Sequence, residues 1–434
     1  MREMKDSGVP WIGEIPEAWR LEILKNSLKQ INESNSPIKT TSVLSLTNKL
    51  GVVPYEEKGD QGNKAKENYE EYKLAYPNTL VVNSMNVLIG SVGISKYFGC
   101  VSPVYYVFHE IEGKSDLRFV NYVFQIPSFQ KELRRYANGI LEIRLRISSY
   151  DLLHRPIPFP ALPEQRRIAD FLDAKCAEID AILENTRASI EEYKALKMSV
   201  ITESVTKGIR GERPMRDSGV EWIEEIPTEW DVLGFYRSNY IRGRLGWKGL
   251  KADEYVSEGY PFLSAFNIIE NHLDWSELNY ITQERYDESP EIKLSVGDLL
   301  IVKDGAGIGK CARIDELPLG EATVNSSLAV ITPSERFDHR YEYYYMQSAP
   351  FQHVIWFLKI GMGVPHLTQE KMREISIPCP TLDEQEEIAA YLDEKCATID
   401  SLIASKEALI AELEAYRKSI IYEYVTGKKE VPAV

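Results

Sequence analysis

The chain states the same phrase twice. MKDSGVPWIGEIPEAW, from Met4, returns as MRDSGVEWIEEIPTEW from Met215, with Trp11 answered by Trp222 and Trp19 by Trp230. A second phrase closes each half, PALPEQRRIADFLDAKCAEIDAIL from Pro160 and PTLDEQEEIAAYLDEKCATIDSLI from Pro380. Self-similarity on this scale means that one structural unit is built twice. The first pair of phrases is 211 residues apart and the second 220, so common frames enclose contents of different length. A chain of 434 residues also exceeds what one hydrophobic core organises.

The closing phrases read as long helices. Pro163, matched by Asp383, precedes Glu164 and Glu384, which suit the positive end of a helix dipole. Helical pattern continues for about 44 residues to Gly208 and to Gly427, where glycine supplies a left-handed stop. At ~1.5 Å per residue each is a rod of roughly 66 Å. Alternate steps of four and three from Ile168 pass through Leu172, Lys175, Ile179, Ile182, Thr186, Ser189, Tyr193, Leu196 and Val200. From Ile388 they pass through Leu392, Lys395, Ile399, Leu402, Lys406, Leu409, Leu413, Tyr416 and Ile420. Such narrow seams suit a coiled coil, and the simplest partner of each helix is the other copy. The residues leave parallel and antiparallel pairing open. Thr186 and Lys406 make the seam polar near its middle, and Cys176 and Cys396 read as small residues flanking it.

Composition narrows the function. The net charge is −15 with a pI near 5.1, so no broad basic surface advertises nucleic acid. Five cysteines without a CxxC pair suit a reducing compartment. The amino-terminal residues lack a signal-peptide core and no apolar run approaches bilayer length, so a soluble, cytoplasmic protein is expected, with no membrane partner. DGAGIGKC has Asp304 where a phosphate loop needs its first glycine and Cys311 after Lys310, so it reads as a Gly-rich strand turn. The six histidines form no metal-ligand pattern, and no nucleophile elbow or NPPY-type amino-methyltransferase motif occurs. The chain is expected to be non-catalytic.

Between the frames, residues 21–159 and 231–379 are each long enough for a domain. Strand-like stretches precede helical ones in both, which predicts two diverged copies of one α/β (mixed α+β) domain. By pattern, Ile94 and Lys96 answer Ile308 and Lys310. The first segment carries a net +3, the second −6 and the remaining chain −12, so the excess acid sits largely in the frames. In YIRGRLGWKGLK, Arg242, Arg244, Trp247, Lys248 and Lys251 crowd a glycine-rich loop that suits phosphates or guanine, although a solvated loop reads equally well. IGMGVPHLTQEKM offers His366 and Thr368 before a helix start, as contacts or as a simple cap. EIRLRI places Arg144 and Arg146 on one face of a strand, as candidate DNA contacts, although a plain solvent face reads somewhat better.

Together, SGVxWIxEIPxxW, PxLxEQxxIAxxLDxKCAxID, GDLLIVKDGAGIGK, GMGVPHLTQEKMREISIPCP and, in the first half, GSVGISKYFGCVSPVYYVF resemble the specificity subunits of type I restriction-modification systems over almost the whole chain. The resemblance implies two target-recognition domains (1–159 and 211–379), each reading half of a gapped double-stranded DNA site, and two antiparallel spacer helices (160–210 and 380–434). It implies as partners two methyltransferase subunits, with or without two restriction subunits. S-adenosylmethionine and ATP with Mg would serve those partners, and no cofactor is expected on this chain. DNA contacts are expected from Ser91, Lys96, Lys303, Asp304 and Lys310 in the strand-turn segments and from His366 and Thr368, with Gly363 beside them. Partner docking is expected at Glu164, Gln165, Glu384 and Gln385. The first half has NGILEIRLRISSYDLL in place of the GVPHLT phrase, so the role of His366 does not transfer to it. A coiled-coil scaffold unrelated to DNA is the alternative.

Overall fold

A computed structural model describes residues 2–47, 50–59, 68–139, 145–244, 250, 252–305, 307–359 and 366–432. The expected long helices are present as α1 (Leu162–Lys207) and α2 (Leu382–Val425). Both end in left-handed glycines, Gly208 at φ +77° and Gly427 at φ +74°, where a side chain would be strained. The chain divides into two compact units, Met1–Thr186 with Glu407–Val434, and Arg187–Lys406. The long helices are therefore not separate bodies: each unit takes part of both, because the frame of each half packs onto them.

The helices run antiparallel within each unit. In the first, Phe171 stacks on Tyr424 with centroids 4.5 Å apart and Asp180 meets Arg417 at 3.5 Å. In the second, the Lys406 ammonium lies 5.6 Å from the Tyr193 ring and Lys197 meets Asp400 at 2.6 Å. As one residue number rises its partner's falls. The buried stripe of α1 is Ile168, Leu172, Cys176, Ile179, Leu183, Thr186, Ile190, Ile201 and Val205, and that of α2 includes Ile388, Leu392, Cys396, Ile399, Ile403 and Ile420. Half of the expected seam is present, at Leu172, Ile179 and Thr186, while the layers between fall one residue later, on Cys176, Leu183 and Ile190 instead of Lys175, Ile182 and Ser189. Ile182, Leu196, Leu402, Leu409 and Tyr416 are exposed, and the cysteines lie in the stripe rather than beside it. The alternation itself is kept: buried Ala169 and Ala389 start it one residue after Ile168 and Ile388, so the four- and three-residue steps change places. All five cysteines are free, and burial pushes the Cys396 thiol up to about 11.

The first unit contains the antiparallel sheet β1 (Leu28–Ile31), β2 (Leu80–Asn83), β3 (Val92–Ile94) and β4 (Tyr105–Glu110), in the order β1-β4-β2-β3. Leu80 and Val82 face helices Leu117–Phe124 and Pro127–Arg134, while Val81 and Val107 face the hairpin Leu44–Thr47 with Gly51–Pro54. Both faces are covered, which explains why these strands are near-continuous apolar runs rather than alternating ones.

The second unit repeats this sheet with β5 (Asn239–Arg242), β6 (Leu299–Val302), β7 (Cys311–Arg313) and β8 (Leu328–Pro333), in the order β5-β8-β6-β7. Leu299 and Ile301 face helices His339–Gln347 and Ala349–Lys359, while Leu300 and Val302 face a second core that includes Leu263 and Val324. The registers correct one sequence match. Leu80 pairs with Ile94 and Leu299 with Arg313. Ile94 therefore corresponds to Arg313 rather than Ile308, and Lys96, beyond its strand, corresponds to Asp315, whereas Lys310 corresponds to Ser91. A glycine turn of similar composition had suggested a shorter offset than the ladder imposes.

Candidate nucleic-acid interface

The repeated phrases form the mount on which each domain sits. Trp19 Nε1 donates to Glu164 Oε2 at 3.0 Å, and Trp230 Nε1 donates to Glu384 Oε2 at 3.1 Å. Arg2 meets Glu164 at 2.6 Å and Arg213 meets Glu384 at 2.6 Å. Buried Gln165 accepts from the backbone N–H of Asp116, and buried Gln385 from that of Asp338, both at 2.9 Å. Those aspartates cap helices Leu117–Phe124 and His339–Gln347. Asp173 and Asp393 accept from the hydroxyls of Tyr122 and Tyr344, each at 2.7 Å. The helix openings are thus occupied by bonds within the chain. Burial in these bonds corrects the expectation that Gln165, Glu384 and Gln385 dock a partner, whereas the Glu164 side chain stays 19% exposed.

On this mount, three of the predicted stretches converge in the second unit at one end of its sheet. Strand β6 runs into Lys303 and Asp304, and Asp304 forms a β-bridge with His366 and accepts a hydrogen bond from its Nδ1. Leu367 N–H donates to Lys303 O at 3.0 Å and Lys303 N–H donates to Ser327 O at 2.9 Å. Beyond β5, a Cβ added to Gly243 would lie 3.3 Å from Gln369 Nε2 and 3.8 Å from Lys303 Cε, so that loop departs from the same place. His366 and Lys310 are exposed, while Lys303 is largely covered and lies 3.8 Å from Asp304. Thr368 is the N-cap of helix Gln369–Arg373 and accepts from Lys371 N–H, so its hydroxyl has a structural partner.

Several other expectations are corrected by burial. Arg242 is held by Asp298 at 2.8 Å and donates to Thr332, with both members of the ion pair nearly inaccessible. Arg244 is 3 % exposed and lies over the Phe262 ring at 5.4 Å, and burial pulls its guanidinium below the usual value. Ser91 is buried in the β2–β3 turn, and its carbonyl accepts from Asn83 N–H. None of these three is placed to meet DNA. The sequence showed basic residues beside glycines but not that both arginines turn into the domain. Lys96 is exposed, though in a place that corresponds to Asp315. Arg144, Trp247, Lys248, Lys251 and Gly363 lie outside the described residues.

The first unit holds the matching station at Arg146, one of the two arginines named from the sequence, although the sequence did not disclose the match with His366. Ile147 N–H donates to Ser84 O at 3.1 Å, the bond that Leu367 N–H makes to Lys303 O in the other unit. Ser148 caps the helix Ser149–Leu153 as Thr368 caps Gln369–Arg373. These equivalences place exposed Arg146 where the second unit has His366. Arg146 Nε donates to Ser84 Oγ at 3.0 Å. The two phrases share too little sequence to align, and the signal that could have found the match is the Ser/Thr cap three residues before Asp151 and Lys371.

Among the described residues no cluster of His, Cys, Asp or Glu could hold a metal ion, and no helix is long and apolar enough to cross a membrane. The fold and the paired stations define a duplicated domain carried on a shared helical frame, with the same place in each copy given to a different polar side chain. The chain belongs to a known family: the model of the type I restriction modification DNA specificity domain matches residues 25–192 and again 247–415. Among similar proteins, the type I restriction enzyme MjaVIII specificity subunit of Methanocaldococcus jannaschii is 26% identical over 281 residues, 63% of this chain and 62% of that one. A putative MjaX specificity subunit of the same organism is 25% identical over 97% of this chain and 96% of its own length. The EcoKI specificity subunit of Escherichia coli is 27% identical over 47% of this chain and 44% of its own. The fold matches a chain from a structure of a type I R-M system (TM-score 0.72, 15% identity, 96% of this chain and 99% of that one). It also matches the HsdS subunit of Thermoanaerobacter tengcongensis (TM-score 0.51, 15% identity, 96% and 98%).

Proposed function

We propose that the chain is the DNA-recognition subunit of a type I restriction-modification complex and performs no chemistry itself. Each domain reads one half of a gapped, asymmetric double-stranded site, and the long helices set the spacing between the halves. The observation that carries this reading is the paired station: one backbone frame presents Arg146 in the first domain and His366 in the second. A shared frame gives a common approach to the duplex, while different side chains select different base edges in the major groove. Arg146 suits a guanine. The partners are two methyltransferase subunits using S-adenosylmethionine and, where restriction occurs, two ATP- and Mg-dependent restriction subunits, all in the cytoplasm. With a net charge of −15, the isolated chain has little electrostatic attraction for phosphate, and tight binding requires the assembled complex.

The test is to co-express the chain with its methyltransferase in a host lacking adenine methylation and to sequence methyladenine. A gapped motif that needs both proteins supports the reading. A soluble complex that leaves no motif and binds no DNA selectively favours a scaffold instead.

A further inference from the structure

Phe266 is the most exposed large apolar side chain described, at 93 %. Its backbone turn is bonded on both sides. It sits in the short turn Ala265–Asn267, where Ser264 Oγ accepts from Phe266 N–H at 3.3 Å and Asn267 Oδ1 accepts from Ser264 N–H at 2.9 Å. Asn267 is buried and donates to the carbonyls of Asp274 and Glu277 at 3.3 and 2.9 Å. Ala265 N–H donates to Ser327 Oγ at 3.2 Å, and the carbonyl of the same Ser327 accepts from Lys303 N–H. The carrier of Phe266 is therefore bonded to the backbone that carries Lys303, Asp304 and His366.

A lone exposed phenylalanine needs no explanation on a mobile loop. One whose backbone is fixed on both sides, beside a proposed DNA-reading station, is preorganised. Of segment 264–277, Phe266 and Ile269 are its exposed large apolar residues. That is too little for a protein–protein core, which needs a patch of several hundred Å². A single rigid ring has the size and polarity of a base-step wedge, which needs no basic neighbours because the phosphate charge is met elsewhere.

Resting on the recognition function above, we propose that Phe266 inserts its ring at a base step of the half-site bound by the second domain, unstacking it locally. The sequence of that step is then read through its ease of deformation, which adds selectivity at a position without a hydrogen bond.

The test uses the full chain in complex with its methyltransferase, and duplexes carrying 2-aminopurine at successive positions of that half-site other than the methylated adenine, whose own extrusion would give a signal. The wild-type complex is expected to raise fluorescence at one step. F266A should abolish that signal and weaken binding about tenfold, as loss of one base stack does, while F266W restores both. The salt dependence should be unchanged, since no phosphate contact is lost. An F266A complex that keeps the signal and the affinity overturns the proposal. So does an F266A chain that no longer assembles with the methyltransferase, which would make the ring a protein contact. If the wild-type complex binds no sequence selectively, the recognition function itself fails, a result distinguishable from loss of the wedge alone.

Discussion

Arg146 and His366 hold the same place in two copies of one frame, each next to the backbone bond that joins the final loop to the end of the second sheet strand. Their neighbours differ as well: Arg146 rests on the Ser84 hydroxyl, whereas His366 is oriented by the Asp304 carboxylate. A duplicated chain can keep its assembly surfaces and scaffold identical while changing what each copy presents, because the bonds that build the station are made by backbone.

Substitution at these stations should separate the half-sites. In the methyltransferase complex, R146A should relax or change the first half of the methylated motif and leave the second intact, and H366A should do the reverse. Losing a bidentate base contact costs about 1–3 kcal/mol of discrimination. Methyladenine sequencing of both variants checks this, and a change in both halves from one substitution would refute independent reading.

The two frame carboxylates should differ in stability cost. Glu384 and Arg213 are 3% and 10% exposed, whereas Glu164 and Arg2 are 19% and 24% exposed. Removing Glu384 takes away the buried member of the pair, but Arg213 keeps Glu229 at 3.0 Å, so the cost falls below the about 3–5 kcal/mol of a fully stranded charge. E384A should still lower the urea midpoint more than E164A, whose solvent-screened pair is worth about 1 kcal/mol.

Glu342 should make the second unit sensitive to alkali. Complete burial pushes its carboxyl up to about 8, against the hydrogen bond from Asn239, which favours the ionised form. Between its ordinary value of 4.5 and about 8 the folded chain holds a proton that the unfolded chain releases. Stability must then fall as pH rises through that window and level off above it, by about 5 kcal/mol at most. E342Q should raise Tm at pH 8.5 and change it little at pH 4.5. Equal shifts at both values would refute the assignment.

Arg242 should behave as a core residue despite its basic, glycine-rich setting. R242A leaves Asp298, 1% exposed, without its cation and should destabilise the second unit by about 3–5 kcal/mol. The slope of DNA affinity against salt should stay the same in complexes that remain folded, because no phosphate contact is removed.

The sequence by itself determined the duplication, the long helices and their glycine stops, the mixed α/β character of the domains and the family, since these depend on repetition, local propensity and period. Tertiary structure decided everything that depends on distant pairing. The helix stripes keep a heptad but start it at buried Ala169 and Ala389, which the larger Ile168 and Ile388 beside them concealed. The equivalence of Ile94 with Arg313, and of Arg146 with His366, is written in ladder registers and backbone bonds, with little trace in side-chain identity beyond the Ser148 and Thr368 caps. Arg242 and Arg244 turned inward because Asp298 and Phe262, far along the chain, offered them partners. Glu164 and Glu384 close on tryptophans about 150 residues away in the chain. A side chain's type shows what it can bond to, but only the fold determines whether that partner is the chain itself or something outside it.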